Sequence, residues 1–254
     1  LENAAAGQVA AYLMDLSLPK GPGTILATQS NLGFLGEGAR ADAFAVAYLD
    51  TIQPRTLRDA REYCGYFRVA ESGGLEGADA HCSTLAEAAG SSKTWAAYLS
   101  TSMVIDRSSG SPKVTDGISA RDRIGSGPWF NAKGEMIAKD VDDLHSDAVN
   151  ISLATGLDEN GNQINGRGAS PNKHDILTGT DSNGHFSTAG GDTTCGNWTS
   201  SGEGSAIVGH HDRVGLNKSR NMISWNSAHG SAGCSADDLP RTGGAGLLYC
   251  FAVK

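Results

Sequence analysis

The chain has 254 residues and 34 glycines, nearly twice the usual glycine share of about 7%. Charged residues make up only 19%. It is long enough for one large domain with an extension, and its excess of Gly, Ser, Asn and Asp points to long loops and away from a helical bundle. A net charge of −8 argues against nucleic acid and anionic membranes as partners, and no apolar run approaches the roughly 20 residues of a membrane span.

In chain order, the Ala-rich run Asn3–Leu16 reads as a helix, broken by Leu18-Pro19-Lys20-Gly21-Pro22-Gly23. Residues Ala39–Ile52 fit either a helix or an alternating strand, and their alanine content favours helix. Thr56–Tyr63 continues in helical style, with Arg55, Arg58, Arg61 and Arg68 as an anion site or a solvated face. Residues 1–63 thus read as a short, mainly helical N-terminal extension and 64–254 as the main domain. That extension is also the candidate for self-association.

The texture then changes. Tyr66–Ala70 reads as a strand and Gly73-Gly74 as a turn. Leu75–Ala89 is an amphipathic helix, with Leu75, Ala78, Cys82, Leu85, Ala86 and Ala89 on one face and Gly90 closing it. In Thr94–Thr101, Trp95, Ala97 and Leu99 alternate with Ala96, Tyr98 and Ser100, as in a strand. Beyond Ser102 only Glu135–Ala138, Ala206–Val208 and Leu247–Val253 carry strand signals, separated by loops of a length that is uncommon unless functional or cross-linked.

Five cysteines stand at positions 64, 82, 195, 234 and 250, with no Cys-x-x-Cys pair. In so loop-rich a chain they suggest disulfides and an oxidising compartment: secreted, periplasmic or cell-surface. The spacing leaves the connectivity open.

Several tracts carry a family resemblance. Gly77-Ala78-Asp79-Ala80-His81-Cys82 and Thr94-Trp95-Ala96-Ala97-Tyr98-Leu99-Ser100-Thr101 resemble the opening of endostatin, the C-terminal domain of certain collagens. The likeness continues through Asp122-Arg123, Gly127-Pro128-Trp129, His174-Asp175, Asp181-Ser182-Asn183-Gly184, Thr194-Cys195-Gly196-Asn197-Trp198, Ser224-Trp225-Asn226-Ser227 and Leu248-Tyr249-Cys250-Phe251. It covers residues 66–254 in pieces. The Cys195–Gly202, Gly209–Arg213 and Ser224–Ser227 tracts are closer still to bacterial secreted proteins described as lectins.

This resemblance implies an α+β, C-type-lectin-like (endostatin-like) domain with long disulfide-tied loops. It also implies the pairings Cys82–Cys250 and Cys195–Cys234, and a non-catalytic protein that recognises a glycan or surface polymer. The calcium-dependent sugar site of C-type lectins is not reproduced: Ser170-Pro171-Asn172 and Trp225-Asn226-Ser227 each lack a carboxylate that the route requires.

For chemistry, Gly209-His210-His211-Asp212-Arg213 is the most loaded string. Adjacent histidines on an extended segment face opposite ways, so one of the two joins any given site. With His174 and Asp175, the residues His210, His211 and Asp212 form a candidate set for a divalent metal, calcium or zinc. The bland alternative is that they hydrogen-bond loop backbone. Trp198, Trp225, Asn226, His210 and Arg213 are the candidate ligand-binding residues, the tryptophans serving as sugar platforms or as core.

Asp158-Glu159-Asn160-Gly161 and Asp181-Ser182-Asn183-Gly184 are calcium-loop openings or plain turns, and turns fit better. With no nucleophile elbow or phosphate loop, enzymatic activity is left to a metal-dependent hydrolase as the alternative reading.

Overall fold

A computed structural model describes residues 42–47, as backbone, and residues 73–253. The expected helix at Asn3–Leu16, the arginine cluster, the Tyr66–Ala70 strand and Cys64 lie outside the described residues.

Helix α1 (Leu75–Ala88) follows two left-handed glycines, Gly73 and Gly74 (φ 68° and 77°). It buries Ala78, Cys82, Leu85 and Ala86 along one stripe. Its end is fixed by Gly90 at φ 84°, with the Ser91 N–H on Ala86 O at 2.8 Å and the Gly90 N–H on Glu87 O at 2.9 Å. Only glycine adopts that conformation without strain, and the two bonds satisfy carbonyls left over by the last turn. On the helix surface Asp79 accepts both Arg123 Nη2 contacts, at 2.8 and 2.7 Å, and the Ala97 N–H at 2.8 Å. One guanidinium nitrogen is thus shared by both carboxylate oxygens, while Nη1 of the same arginine donates to Ala97 O.

The sheet is organised around one strand near the end of the chain. Strand β1 is Asp42–Ala47, β2 Trp95–Ala97, β5 Trp129–Phe130, β6 Met136–Ala138, β7 Asp175–Leu177, β8 Ile207–His210, β9 His229–Gly230 and β10 Gly244–Ala252. The order is β6-β5-β1-β10-β7-β8-β9. One edge of β10 takes β1, antiparallel; the other takes β7, parallel, and then β2, antiparallel. Two exposed strands, β3 (Val104–Asp106) and β4 (Lys113–Thr115), form a separate hairpin.

Strand β1 corrects the helical expectation for Ala39–Ile52: pairing with β10 and β5 satisfies backbone groups on both its edges, and tertiary pairing outweighs the helical preference of alanine. It also crosses the expected division at residues 63 and 64, since a strand from the N-terminal segment lies within the sheet.

Alternation along β10 builds two cores. Leu248, Cys250 and Ala252 face α1, Trp198 and Leu177, whereas Leu247, Tyr249 and Phe251 face Trp129, Tyr98 and Trp225. A period of two sends successive side chains to opposite faces, so one strand serves both layers. Strand β2 and its extension split the same way, Trp95, Ala97 and Leu99 to the first core and Tyr98 to the second.

Both disulfides, Cys82–Cys250 and Cys195–Cys234, lie in the first core. The mixed α/β architecture and the two bridges agree with the expected α+β class. Cys195–Trp198 is a short turn, α3, with positive φ at all four residues (50°, 64°, 54° and 67°). Left-handed backbone costs roughly 1–2 kcal/mol per non-glycine residue. Here it is offset by the bridge at Cys195 and by the buried Trp198, whose indole N–H donates to Ser100 O at 2.7 Å. A third helix, α2 (Val141–Leu144), is capped by the Asp140 carboxylate. None of the described helices is long and apolar enough to cross a membrane.

A candidate metal centre

Three strands and one strand end bring four side chains together. Asp175 opens β7 and stands directly opposite His210, the last residue of β8. His229, in β9, stands opposite Val208, two residues before His210. Directly paired residues and residues two apart share a face, so Asp175, His210 and His229 project from the same side of the sheet. His174 arrives from the segment just before β7.

The common neighbour of the three imidazoles is one carboxylate oxygen, and His174, Asp175 and His210 form the group whose ligand atoms all lie within 4.8 Å of one another. Asp175 Oδ1 lies 3.1 Å from His174 Nε2, 3.4 Å from His210 Nε2 and 3.6 Å from His229 Nε2. His210 Nε2 and His229 Nε2 are 3.0 Å apart. Donors about 2.0–2.1 Å from a tetrahedral zinc stand about 3.3 Å from one another, and these distances bracket that edge. His174, Asp175 and His210 are all buried.

The far side of each ring decides which nitrogen carries hydrogen. His174 Nδ1 faces Asp212 Oδ1 at 3.4 Å, His210 Nδ1 faces Met222 O at 2.8 Å, and His229 Nδ1 faces Gly230 O at 3.0 Å. Each of these oxygens accepts, so each Nδ1 donates and each Nε2 is left with a lone pair aimed inward. Asp175, 1% exposed, therefore receives no hydrogen bond at either carboxylate oxygen among the described residues.

Burial opposes the charge of Asp175, but with a proton on the facing Nε2 of His210 and His229 their hydrogen bonds outweigh it and hold the carboxyl below the usual carboxylate range. Asp175 in turn raises His229 above the ordinary histidine value. A buried carboxylate without donors is costly, and two lone pairs at 3.0 Å repel unless a proton or cation lies between them. One proton can serve two of these atoms; a divalent cation serves all four. Three nitrogens and one oxygen fit zinc, whereas calcium takes six to eight oxygens.

Asp212 supports the centre from behind. Its Oδ1 takes the His174 Nδ1–H and the Val214 N–H at 3.0 Å, and its Oδ2 takes the Arg167 N–H at 2.6 Å. Burial works against its charge, but the His174 bond and the two backbone donors prevail and bring the carboxyl down to about 2. It stays ionised and keeps His174 in the tautomer the centre requires.

Above the centre lies a cleft of about 550 Å³, lined by the three imidazoles together with Arg167, Arg241, Asn172, Thr242, Met222 and other residues.

Of the metal set expected from sequence, His174, Asp175 and His210 are brought together and Asp212 supports them. His211 points the other way, as the alternation of adjacent residues requires, with its Nε2 3.3 Å from Asn165 O. Burial lowers its proton affinity. The candidate ligand-binding residues other than His210 are placed away from this cleft.

Trp198 and Trp225 are core, with their indole N–H groups on Ser100 O and Leu144 O, so neither offers a face to a sugar. Asn226 is 1% exposed and donates to Tyr98 Oη and to Asp181 O. Arg213 clasps loops through Ile223 O, Asp147 O and Val149 O. The two Asp-x-Asn-Gly strings are turns: Asp158 Oδ1 accepts from the Asn160 and Asn162 N–H groups, and Asp181 Oδ1 from those of Asn183 and His185.

His229 is the residue that sequence reasoning missed. A lone histidine in a Ser/Asn/Gly tract has no ligand spacing, and only the return of β9 along β8 brings it to the others. Neither the family models nor the curated proteins compared with this chain match it.

Proposed function

We propose that the chain is a secreted, non-catalytic binding domain of the C-type-lectin-like kind, recognising a glycan or surface polymer at a cleft whose floor holds a zinc-class cation. The observation that carries the reading is the convergence of three imidazole lone pairs on a buried, donor-free Asp175 carboxylate at the base of an open cleft. The zinc of that site would be held by His174, Asp175, His210 and His229, and when bound it supplies a Lewis-acidic centre for an incoming oxygen ligand.

A metal-dependent hydrolase is the second reading, favoured by the opening of the centre toward solvent. Two features favour binding over hydrolysis. Four protein ligands would fill a tetrahedral shell, so that an added oxygen has to come as a fifth ligand, and among the described residues lining the cleft there is no carboxylate that could take a proton from an attacking water. The expected result is about one zinc per chain by elemental analysis of untagged protein, and polysaccharide binding on an array that disappears with chelator. Zinc-free protein, or polysaccharide binding unchanged by chelation, overturns the reading. Turnover of a bound polysaccharide by zinc-loaded protein replaces it with the hydrolase.

A further inference from the structure

The rim of the cleft differs in charge from the rest of the chain. The sequence holds 28 Asp and Glu against 20 Lys and Arg. Yet beside the three imidazoles the cleft is lined by Arg167 and Arg241 and, among the described residues, by no carboxylate.

Space next to the centre is kept by Gly243, at φ 108°, where a Cβ would stand 2.9 Å from His174 Nε2 and 2.7 Å from Asn172 Nδ2. Any larger residue there fills the gap beside the metal-facing nitrogen. Asn172 accepts the His174 N–H on its Oδ1 at 3.2 Å, which leaves its Nδ2 donor toward the same gap. Asp212 ties the Arg167 backbone and the His174 ring to one carboxylate, so the arginine-bearing loop is registered against the centre.

A divalent cation held by three neutral imidazoles and one carboxylate keeps a net charge of +1. An anionic oxygen is then favoured over water as a fifth ligand on the side of the cleft. Guanidinium groups present donors in the geometry that carboxylate and sulfate oxygens accept. Arg241 is paired with Asp238 at 2.8 Å, but its side chain is 66% exposed, and so open a pair rearranges at little cost.

We propose that the cleft takes an anionic oxygen group, a carboxylate or sulfate, as an exchangeable ligand of the cation, with Asn172 Nδ2 and the guanidinium of Arg167 or Arg241 as its hydrogen-bond donors. This rests on the metal reading above. The group belongs to an acidic polymer or to a free small acid, and the chemistry at the centre is the same for both.

The test loads chelator-stripped protein with cobalt(II) and follows its visible spectrum while sodium acetate or sodium sulfate is added at constant ionic strength. A saturable change at millimolar anion is expected, and Arg167→Ala/Arg241→Ala, read on cobalt-loaded protein, needs at least tenfold more anion for the same change. Polyuronate oligosaccharides acting at lower concentration than acetate assign the site to a polymer; equal action per carboxylate assigns it to a small acid, and either supports the proposal. A cobalt spectrum that forms but is unmoved by both anions, or that moves equally in the double variant, overturns this proposal and leaves the metal reading standing. Failure of any cobalt spectrum to form overturns both.

Discussion

Two regions of the sheet are fastened by different chemistry, one at its middle strand and one toward its β9 edge. Around α1, β2 and the end of β10, two disulfides lie in an apolar core with Trp198, Leu85 and Leu248. Around β7, β8 and β9, the groups that meet are a carboxylate and three imidazoles, and their polar atoms are not satisfied by one another. The first region is complete as a folded chain. The second leaves the Asp175 carboxylate without a hydrogen bond among the described residues, and that is where the proposed cation would sit. The difference lies in which of the two fasteners could be put in and taken out.

Removing the covalent link should have the largest effect. Cys82→Ser/Cys250→Ser opens a loop spanning 168 positions, and in the chain-entropy account this costs about 5 kcal/mol of unfolding free energy, measured by guanidinium titration. Saturating zinc should not restore it; full restoration would mean that the two regions are not separate fasteners.

Next comes the cation. Zinc at 100 times its dissociation constant should stabilise the wild type by about 2.7 kcal/mol and leave His210→Ala/His229→Ala unmoved. An equal shift in that variant would place the metal elsewhere.

Smaller still, Asp212→Asn should weaken zinc binding about 10–100-fold by disturbing the His174 tautomer, with the disulfides intact by peptide mapping. Unchanged affinity in a competition titration would reduce Asp212 to a loop anchor.

The smallest effect is on pH. Burial pushes His81 down to about 4 and lowers His145 and His211 as well. The unfolded chain takes up these protons from about pH 6.5 downward while the folded protein refuses them, so stability falls as pH drops from about 6.5 toward 4. His229, raised by Asp175, works in the opposite sense in metal-free protein. Thermal midpoints measured in chelator across that window should decline, and a flat profile would show that the buried histidines do not control acid stability.

The two regions were also unequally legible. Helix α1 stands out in the sequence because its apolar stripe and closing glycine are local signals, and β10 because nine consecutive buried residues leave an apolar run. The disulfide pairing came from resemblance, since cysteines 39 and 168 positions apart carry no local signal. Strand β1 was read as helix because alanine propensity is local and the partner strand lies some 200 residues away.

Strands β5, β7 and β9, of two or three residues, are too short for periodicity to register. Three of the four residues of the candidate centre, His174, Asp175 and His210, were legible, because residue type and neighbours suggested them. Polar neighbours in sequence say nothing of which way an indole turns, so Trp198 and Trp225 stood open between sugar platform and core, and they and Asn226 are buried.

The place of β10 has a consequence for biosynthesis. This strand pairs with β1, β2 and β7, and Cys82 waits for Cys250. At about 5–20 residues per second, the 168 positions between those cysteines take roughly 10–30 s to make. Throughout that interval the strands have no common partner, and the first cysteine available to Cys82 further along the chain is Cys195. Cysteines oxidised in the order they emerge would pair Cys82 with Cys64 or Cys195, and the native bridges would then require thiol–disulfide exchange once the last strand is in place.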